Sequence, residues 1–223
     1  MLTGGAEQLH QPRLPEPSQH DPSTTPRVLT ILSHVLEKLV TRNDDLLRQA
    51  GGGSAGKTLS AFDGVRAPAI SLEKYVERIY KYTGCSPSCF VVGFVYIDRL
   101  VHKYPDSLLV PLNVHRLVVT SVMVASKILD DVHYNNAFYA RVGGVSNAEL
   151  NRLELELLFL LDFGVCVSSR VFETYCQHLE KEILLSNGVA IDRPTAIINS
   201  IDDVTEISVE DNTQSSSPPT PLG

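Results

Sequence analysis

The segment Leu117 to Leu129, LVVTSVMVASKIL, is apolar almost all the way round a helix. Leu117, Val118, Val119, Val122, Met123, Val124, Ala125, Ile128 and Leu129 leave it no continuous polar face. A helix of that kind has to be surrounded by protein, so the segment reads as the axis of a bundle. Its valines would also suit a buried parallel strand. Length and the absence of internal Gly or Pro favour the helix, and periodicity alone does not separate the two.

Helical signals flank this axis on both sides. Thr25-Pro26 is an N-cap and first-turn pair, followed by Val28, Leu32, Val35, Leu36, Leu39 and Val40 at helical spacing. Ser71 opens a helix with Leu72, Tyr75, Val76, Ile79 and Tyr80 on one side. Ser86-Pro87 opens another through FVVGFVYIDRLVHKY, and Asn113 stands as the cap of the apolar axis. A short segment, NNAFYARV, ends at Gly143-Gly144. Ser146 and Glu149 have capping-box spacing before a leucine-rich run: Leu150, Leu153, Leu155, Leu157, Leu158, Leu160 and Leu161. A last helix begins after Ser168-Ser169, with Val171, Phe172, Tyr175, Leu179 and Ile183.

Composition narrows the function. At 43% hydrophobic residues, the 223-residue chain can build a real core. Its net charge of -7 argues against nucleic acid as the main partner, because phosphate neutralisation needs clustered Lys and Arg. No apolar run reaches the roughly 18 residues of a membrane span. The N-terminal stretch has no apolar core like that of a secretory signal. Cys85, Cys89, Cys166 and Cys176 form no CxxC, so they read as reduced thiols of a cytosolic or nuclear protein, not a secreted one.

Most candidate chemistry lacks its context. Gly51 to Thr58, GGGSAGKT, matches the phosphate-cradling G-x-x-x-x-G-K-[ST]. That mechanism needs a buried strand before the loop and a long helix after it. Here the preceding LVTRNDDLLRQA is polar and helix-like, and Gly64 and Pro68 interrupt the stretch after the loop. Gly51 to Thr58 therefore reads as a surface linker. A zinc site could be written from the four cysteines and His178, but the cysteines suit a core better. No nucleophile–base signature is present, so no enzyme is expected and no cofactor is implied. Asp130-Asp131 and Asp202-Asp203 are paired carboxylates. The first pair ends a helix, where it reads as a solvated terminus. Two charges embedded in apolar sequence stand out, Lys127 and Glu154. Either lysine snorkels and glutamate occupies a wet strip, or both reach one surface that grips a partner.

These residues carry a family resemblance. Tyr96-Ile97-Asp98-Arg99, Ala125-Ser126-Lys127, and Arg152-Leu153-Glu154 with Leu161-Asp162-Phe163 resemble the landmarks of helices two, three and five of a cyclin box. SLEKYVERIYKYTGCSPSCFVVGFVYIDRL, NVHRLVVTSVMVASKILDD and YNNAFYARVGGVSNAELNRLELELLFLLDF are similar to the P-type (U-type) cyclins of plants. Those in turn resemble the phosphate-signalling cyclins of fungi. The resemblance runs from about Pro26 to Glu182. It implies an all-α fold: a single five-helix cyclin box with an N-terminal flanking helix and one C-terminal helix. The expected organisation is a disordered tail over 1–24, a cyclin-box domain over 25–185 and a disordered acidic, Ser/Pro-rich tail over 187–223. Within the domain lie an N-terminal helix (26–48), a flexible glycine-rich linker (51–68), the five-helix core (71–163) and a C-terminal helix (169–185).

The resemblance also implies a regulatory subunit, monomeric until it binds, that activates a cyclin-dependent protein kinase in cell-cycle or phosphate control. Lys127 and Glu154 occupy the family positions that contact the kinase's mobile C-helix. Ile128, Leu158 and Phe163 fall where apolar contacts surround that pair. A cyclin-fold scaffold that activates no kinase is the alternative. The Met-Arg-Ala-Ile-Leu docking motif of mitotic cyclins is absent; the region reads Ile70-Ser71-Leu72-Glu73-Lys74. Ser217-Pro218 and Thr220-Pro221 are candidate proline-directed phosphorylation sites.

Overall fold

The computed structural model describes residues 25–49 and 57–186. The tails over 1–24 and 187–223, with Ser217 and Thr220, lie outside them, as do Gly51 to Gly56 and the side chain of Ile183. Seven α-helices and one 3-10 helix make up the described residues, and no strand is among them. The helices are α1 (Arg27–Gln49), α2 (Leu72–Thr83), α3 (Pro87–Lys103), α4 (Val114–Leu129), α5 (Asn136–Gly143), α6 (Asn147–Leu160) and α7 (Ser169–Ser186). Helices α2 to α6 form the five-helix core. α1 lies against α2, α3 and α7.

The apolar segment is helix α4, and it is the axis. Every residue from Leu117 to Ser126 is buried, with α2, α3, α5 and α6 all packed against it. A helix serves such a position because its backbone hydrogen bonds are closed internally. Two of its small polar side chains are satisfied locally. Thr120 donates to the Arg116 carbonyl at 2.7 Å, and Ser126 donates to the Met123 carbonyl at 2.9 Å. The Tyr139 hydroxyl then donates to Ser126 at 2.8 Å, tying α5 to the axis.

The most extensive contact is between α3 and α4, and Gly93 permits it. A Cβ there would stand 3.2 Å from the backbone nitrogen of Val122 and 3.3 Å from the carbonyl carbon of Ser121. It would also stand 3.2 Å from Val122 Cγ2, so backbone as well as side chain would have to give way by a few tenths of an ångström.

Several residues act otherwise than their local sequence suggests. The linker expected over 51–68 is folded from Lys57 onward. Lys57–Phe62 is a 3-10 helix that buries Leu59 and Phe62, and the Gly64 amide donates to the Leu112 carbonyl at 2.8 Å. Apolar burial by two residues outweighs the flexibility suggested by the glycines before them. The stretch GGGSAGKT thus comes after helix α1 and leads into a six-residue 3-10 helix, not the strand–loop–helix of a phosphate loop. Asn113 stands at the N-cap of α4 but makes no side-chain cap bond. Its carboxamide turns back, accepting from the Val110 amide at 2.9 Å and donating to the Leu108 carbonyl at 3.1 Å. The Ser146–Glu149 capping box is half formed. Ser146 accepts from the Glu149 amide at 3.1 Å, while the Glu149 carboxylate is taken by Arg116 of α4 at 2.7 Å.

Asp130, expected as a solvated helix end, bridges two helices. Its Oδ2 accepts from the Ser86 amide at 3.1 Å and from the Cys89 thiol at 3.2 Å. It lies just past the C-terminus of α4, where negative charge is disfavoured, but it stands at the N-terminus of α3, where negative charge is favoured. Cys89 remains a thiol donor there. Its hydrogen bonding with Cys85 and its burial push its pKa well above the ordinary range.

This packing has two measurable consequences. Gly93→Val should destabilise the fold by about 1–3 kcal/mol through overpacking against the α4 backbone, measured as a lower urea midpoint. His115 is buried, its ring hydrogen-bonded to the Ile70 carbonyl at 3.0 Å; burial first, and Arg116 beside it, hold its pKa below the usual value of 6.5. The unfolded chain therefore takes up this proton first, and stability falls as pH drops through about 6.5. The urea midpoint of His115→Gln should depend less on pH between 7.5 and 5.5 than that of the unsubstituted protein.

Candidate functional site

The site forms where the buried axis breaks the surface. Burial of α4 stops at Ser126; Ile128 is 51% and Leu129 44% exposed. Lys127 lies between, and its side chain keeps 27% of its surface exposed. Helix α6 turns Leu150, Leu153, Leu157 and Leu161 inward, and that spacing sets Glu154 at the edge of the buried face.

The structure brings Lys127 and Glu154 together. The Lys127 ammonium donates to Glu154 Oε1 at 2.5 Å. Asn136, at the start of α5, donates to Glu154 Oε2 at 2.6 Å and to Asn151 Oδ1 at 2.8 Å. Both carboxylate oxygens are therefore engaged, and three helices meet at one ion pair. Lysine does not simply snorkel, and glutamate does not occupy a wet strip. Each holds the other at the surface. A pair this covered contributes on the order of 1 kcal/mol.

Large apolar side chains stand exposed or half-buried on α6 and just past it. Phe163, just past α6, is 58% exposed, and Leu158, one turn after Glu154, is half-buried. Two further residues join them that neither the motifs nor the resemblance mark. Leu155 is 56% exposed and Phe159 63%, and the rings of Phe159 and Phe163 meet edge to face with centroids 5.3 Å apart. In the sequence Leu155 is simply one leucine of a leucine-rich helix. Its signal lies in its phase: 155, 159 and 163 form a second four-residue series, offset from the buried 150, 153, 157 and 161. Exposed apolar side chains gathered in this way mark a contact surface.

The end of α6 fixes where Phe163 stands. The Phe163 amide donates to the Leu158 carbonyl at 2.8 Å and the Asp162 amide to the Phe159 carbonyl at 3.0 Å. This is the Schellman pattern, with Asp162 in the position that usually takes glycine. Asp162 has φ 49° and Phe163 φ 59°, both left-handed. Aspartate tolerates that region; phenylalanine seldom enters it.

Other candidate chemistry does not assemble. Cys85 and Cys89 are buried in the core, Cys166 is exposed and Cys176 half-buried. Among the described residues no group of three or more His, Cys, Asp or Glu side chains is arranged to hold a metal ion. No described helix is long and apolar enough to cross a membrane.

An all-helical bundle of five core helices around a buried central one is consistent with a cyclin box. The sequence comparisons agree. The model of the cyclin family matches residues 22–165. The chain is 66% identical over 190 residues to Cyclin-U1-1 of Arabidopsis thaliana, covering 85% of this chain and 89% of that one. It is 49% identical over 161 residues to Cyclin-P1-1 of Oryza sativa subsp. japonica, covering 69% and 61%. With Cyclin-U4-1 of Arabidopsis thaliana the identity is 46% over 171 residues, covering 77% and 83%. The chain belongs to the cyclin family, and its relatives are the plant U-type and P-type cyclins.

Asn136 is the part of this site that neither spacing nor resemblance signalled. Asn136→Ala should cost about 1 kcal/mol of stability, measured by chemical denaturation, because Glu154 Oε2 loses its donor. The same variant should leave the α4 core intact, as judged by unchanged amide exchange at Leu117 to Ser126.

Proposed function

We propose that this cyclin is the regulatory subunit of a cyclin-dependent protein kinase, working in cell-cycle or phosphate control. The observation that carries the reading is the Lys127–Glu154 pair, already formed and fixed by Asn136, with exposed Ile128 and Phe163 and half-buried Leu158 around it. A helix from a partner would find there apolar anchors to bury and polar groups to set its register. The partner element is the mobile C-helix of the kinase. Held against this surface, that helix keeps the kinase's own Lys–Glu pair and metal-binding Asp in line. The cyclin thus acts by population shift, binding the active kinase conformation better than the inactive one. Catalysis belongs to the kinase, so no cofactor is required of the cyclin. The reading carries with it an intracellular site of action, nuclear or cytoplasmic, and a chain that is monomeric before it meets its kinase.

The test is capture from a panel of purified cyclin-dependent kinases, with an activity assay on each complex. Lys127→Ala and Glu154→Ala should each weaken binding by about tenfold or more while changing the melting temperature by only a few degrees. A double variant that binds and activates as the unsubstituted chain does would sink the assignment. Binding with no gain in kinase activity would instead indicate a scaffold.

A further inference from the structure

Helix α3 contributes nothing to the exposed pair, yet its C-terminal half grips the turn that displays Phe163. The Tyr96 hydroxyl, from a fully buried side chain, donates to the Val165 carbonyl at 2.7 Å. One nitrogen of Arg99 donates to the Gly164 carbonyl at 2.6 Å and to the Cys166 carbonyl at 3.2 Å. Lys103 donates to the Leu160 carbonyl at 3.0 Å and pairs with the Asp162 carboxylate. The hydroxyl of Tyr104, the α3 C-cap residue, reaches the Leu160 carbonyl at 3.3 Å. Residues 96, 99 and 103 share one helical face. The carbonyls they hold, at 160 and at 164 to 166, lie on either side of Asp162 and Phe163.

Among the described residues those are the two non-glycine positions with left-handed backbone, at φ 49° and 59°. A Schellman turn accounts for the first of them. It does not account for the second: the Phe163 amide and carbonyl are bonded within the turn, to Leu158 and Val165, but phenylalanine has no polar side chain with which to offset the conformation as aspartate can. Burial of the ring cannot supply the hold either. Phe163 is 58% exposed, and the ring it meets, that of Phe159, belongs to a residue itself 63% exposed. Beyond the turn's own backbone hydrogen bonds, the hold from outside comes from α3. A costly backbone conformation that leaves a large apolar side chain in water does nothing for the stability of the free chain. It does prepare that side chain for a partner, because the ordering cost is met before binding.

We propose that Tyr96, Arg99 and Lys103 form a positioning clamp that keeps Asp162 and Phe163 left-handed and so presents Phe163 as a preset anchor for the partner kinase. The anchor half of this statement rests on the kinase reading of the site; the clamp half does not. Arg99 is the residue to change, because it is half-buried and its hydrogen bonds go to the turn, not to Lys127 or Glu154.

The experiment combines amide hydrogen exchange with kinase affinity, using the full chain and whichever cyclin-dependent kinase of the panel it captures most tightly. The variants are Arg99→Met, Arg99→Lys, Phe163→Ala and the double variant Arg99→Met/Phe163→Ala. Arg99→Met should speed exchange at residues 161–166 by about tenfold while the α4 amides stay unchanged. Its kinase dissociation constant should rise about tenfold, with Arg99→Lys recovering part of both effects. The double variant should bind no worse than Phe163→Ala alone, since Arg99 acts only through Phe163. Unchanged exchange at 161–166 discards the clamp whether or not a kinase binds. Losses that add in the double variant discard the route through Phe163. If Phe163→Ala binds as the unsubstituted chain does, the anchor and the kinase contact assigned to Phe163 fail together, while the exchange data still judge the clamp. Should Arg99→Met not fold, Lys103→Met, which removes an exposed side chain, carries the same comparison.

Discussion

Burial of helix α4 over Leu117 to Ser126 imposes the arrangement of everything else. Four helices have to cover it, and the crossing with α3 is so close that a Cβ at position 93 would stand 3.2 Å from the Val122 backbone. A helix covered on all sides can reach solvent only at its ends. At its N-terminal end the side chain of Asn113 turns back to organise the preceding loop. At its C-terminal end the cover stops after Ser126, and Lys127 emerges beside the edge of α6. The position of the surface charge is therefore a consequence of the core: the element that fixes the fold also delivers its lysine to one place.

Much of the fold was legible because its signals are local. Helical periodicity, Ser71, the Ser146 cap and Gly144 each act within a few residues, and Gly144 adopts the left-handed cap that ends α5. What was not legible is where polar side chains go when their partner lies far along the chain. Glu149 has the spacing of a capping box, yet its carboxylate joins Arg116, 33 residues away. Asp130 is near the end of its own helix in sequence and at the start of another in space, 44 residues from Ser86. In each case the local option is a surface hydrogen bond and the distant one is partly buried. Partial burial strengthens the electrostatic interaction and raises the cost of leaving the group unpaired, so the distant partner prevails. The folded segment after Lys57 shows the apolar version of the same rule. Two buried side chains, Leu59 and Phe62, decide a stretch that composition assigns to a linker.

The candidate site divides along similar lines. Lys127 and Glu154 stand out in the sequence as charges among leucines and valines, and the resemblance to cyclins gives them positions. Their mutual contact, and the role of Asn136 in holding the second carboxylate oxygen, needed three helices to be placed. Leu155 and Phe159 were hidden because apolar residues on two faces of α6 merge into one leucine-rich run, and only the phase of the buried series separates them. The left-handed pair at Asp162 and Phe163 was hidden because neither residue is glycine.

The internal pairing of Lys127 with Glu154 bears on how such a surface can bind. A free lysine and a free glutamate would each have to lose water and be ordered when a partner arrives. Here both losses are largely incurred in folding, and the two charges neutralise one another. On the proposed kinase-binding reading, a docking helix would meet a charge pair already neutralised within the chain. Long-range attraction contributes little, and affinity has to come from burying Ile128, Phe163 and their neighbours. The polar cluster supplies register instead. A partner that docks without matching it leaves covered donors and acceptors unsatisfied, at a cost of about 1–3 kcal/mol each. Strength and selectivity thus come from different atoms of the same surface. On the proposed reading, the exposed apolar side chains could serve many partners, whereas the fixed geometry of Lys127, Glu154 and Asn136 would favour a helix whose polar groups fall in the right place.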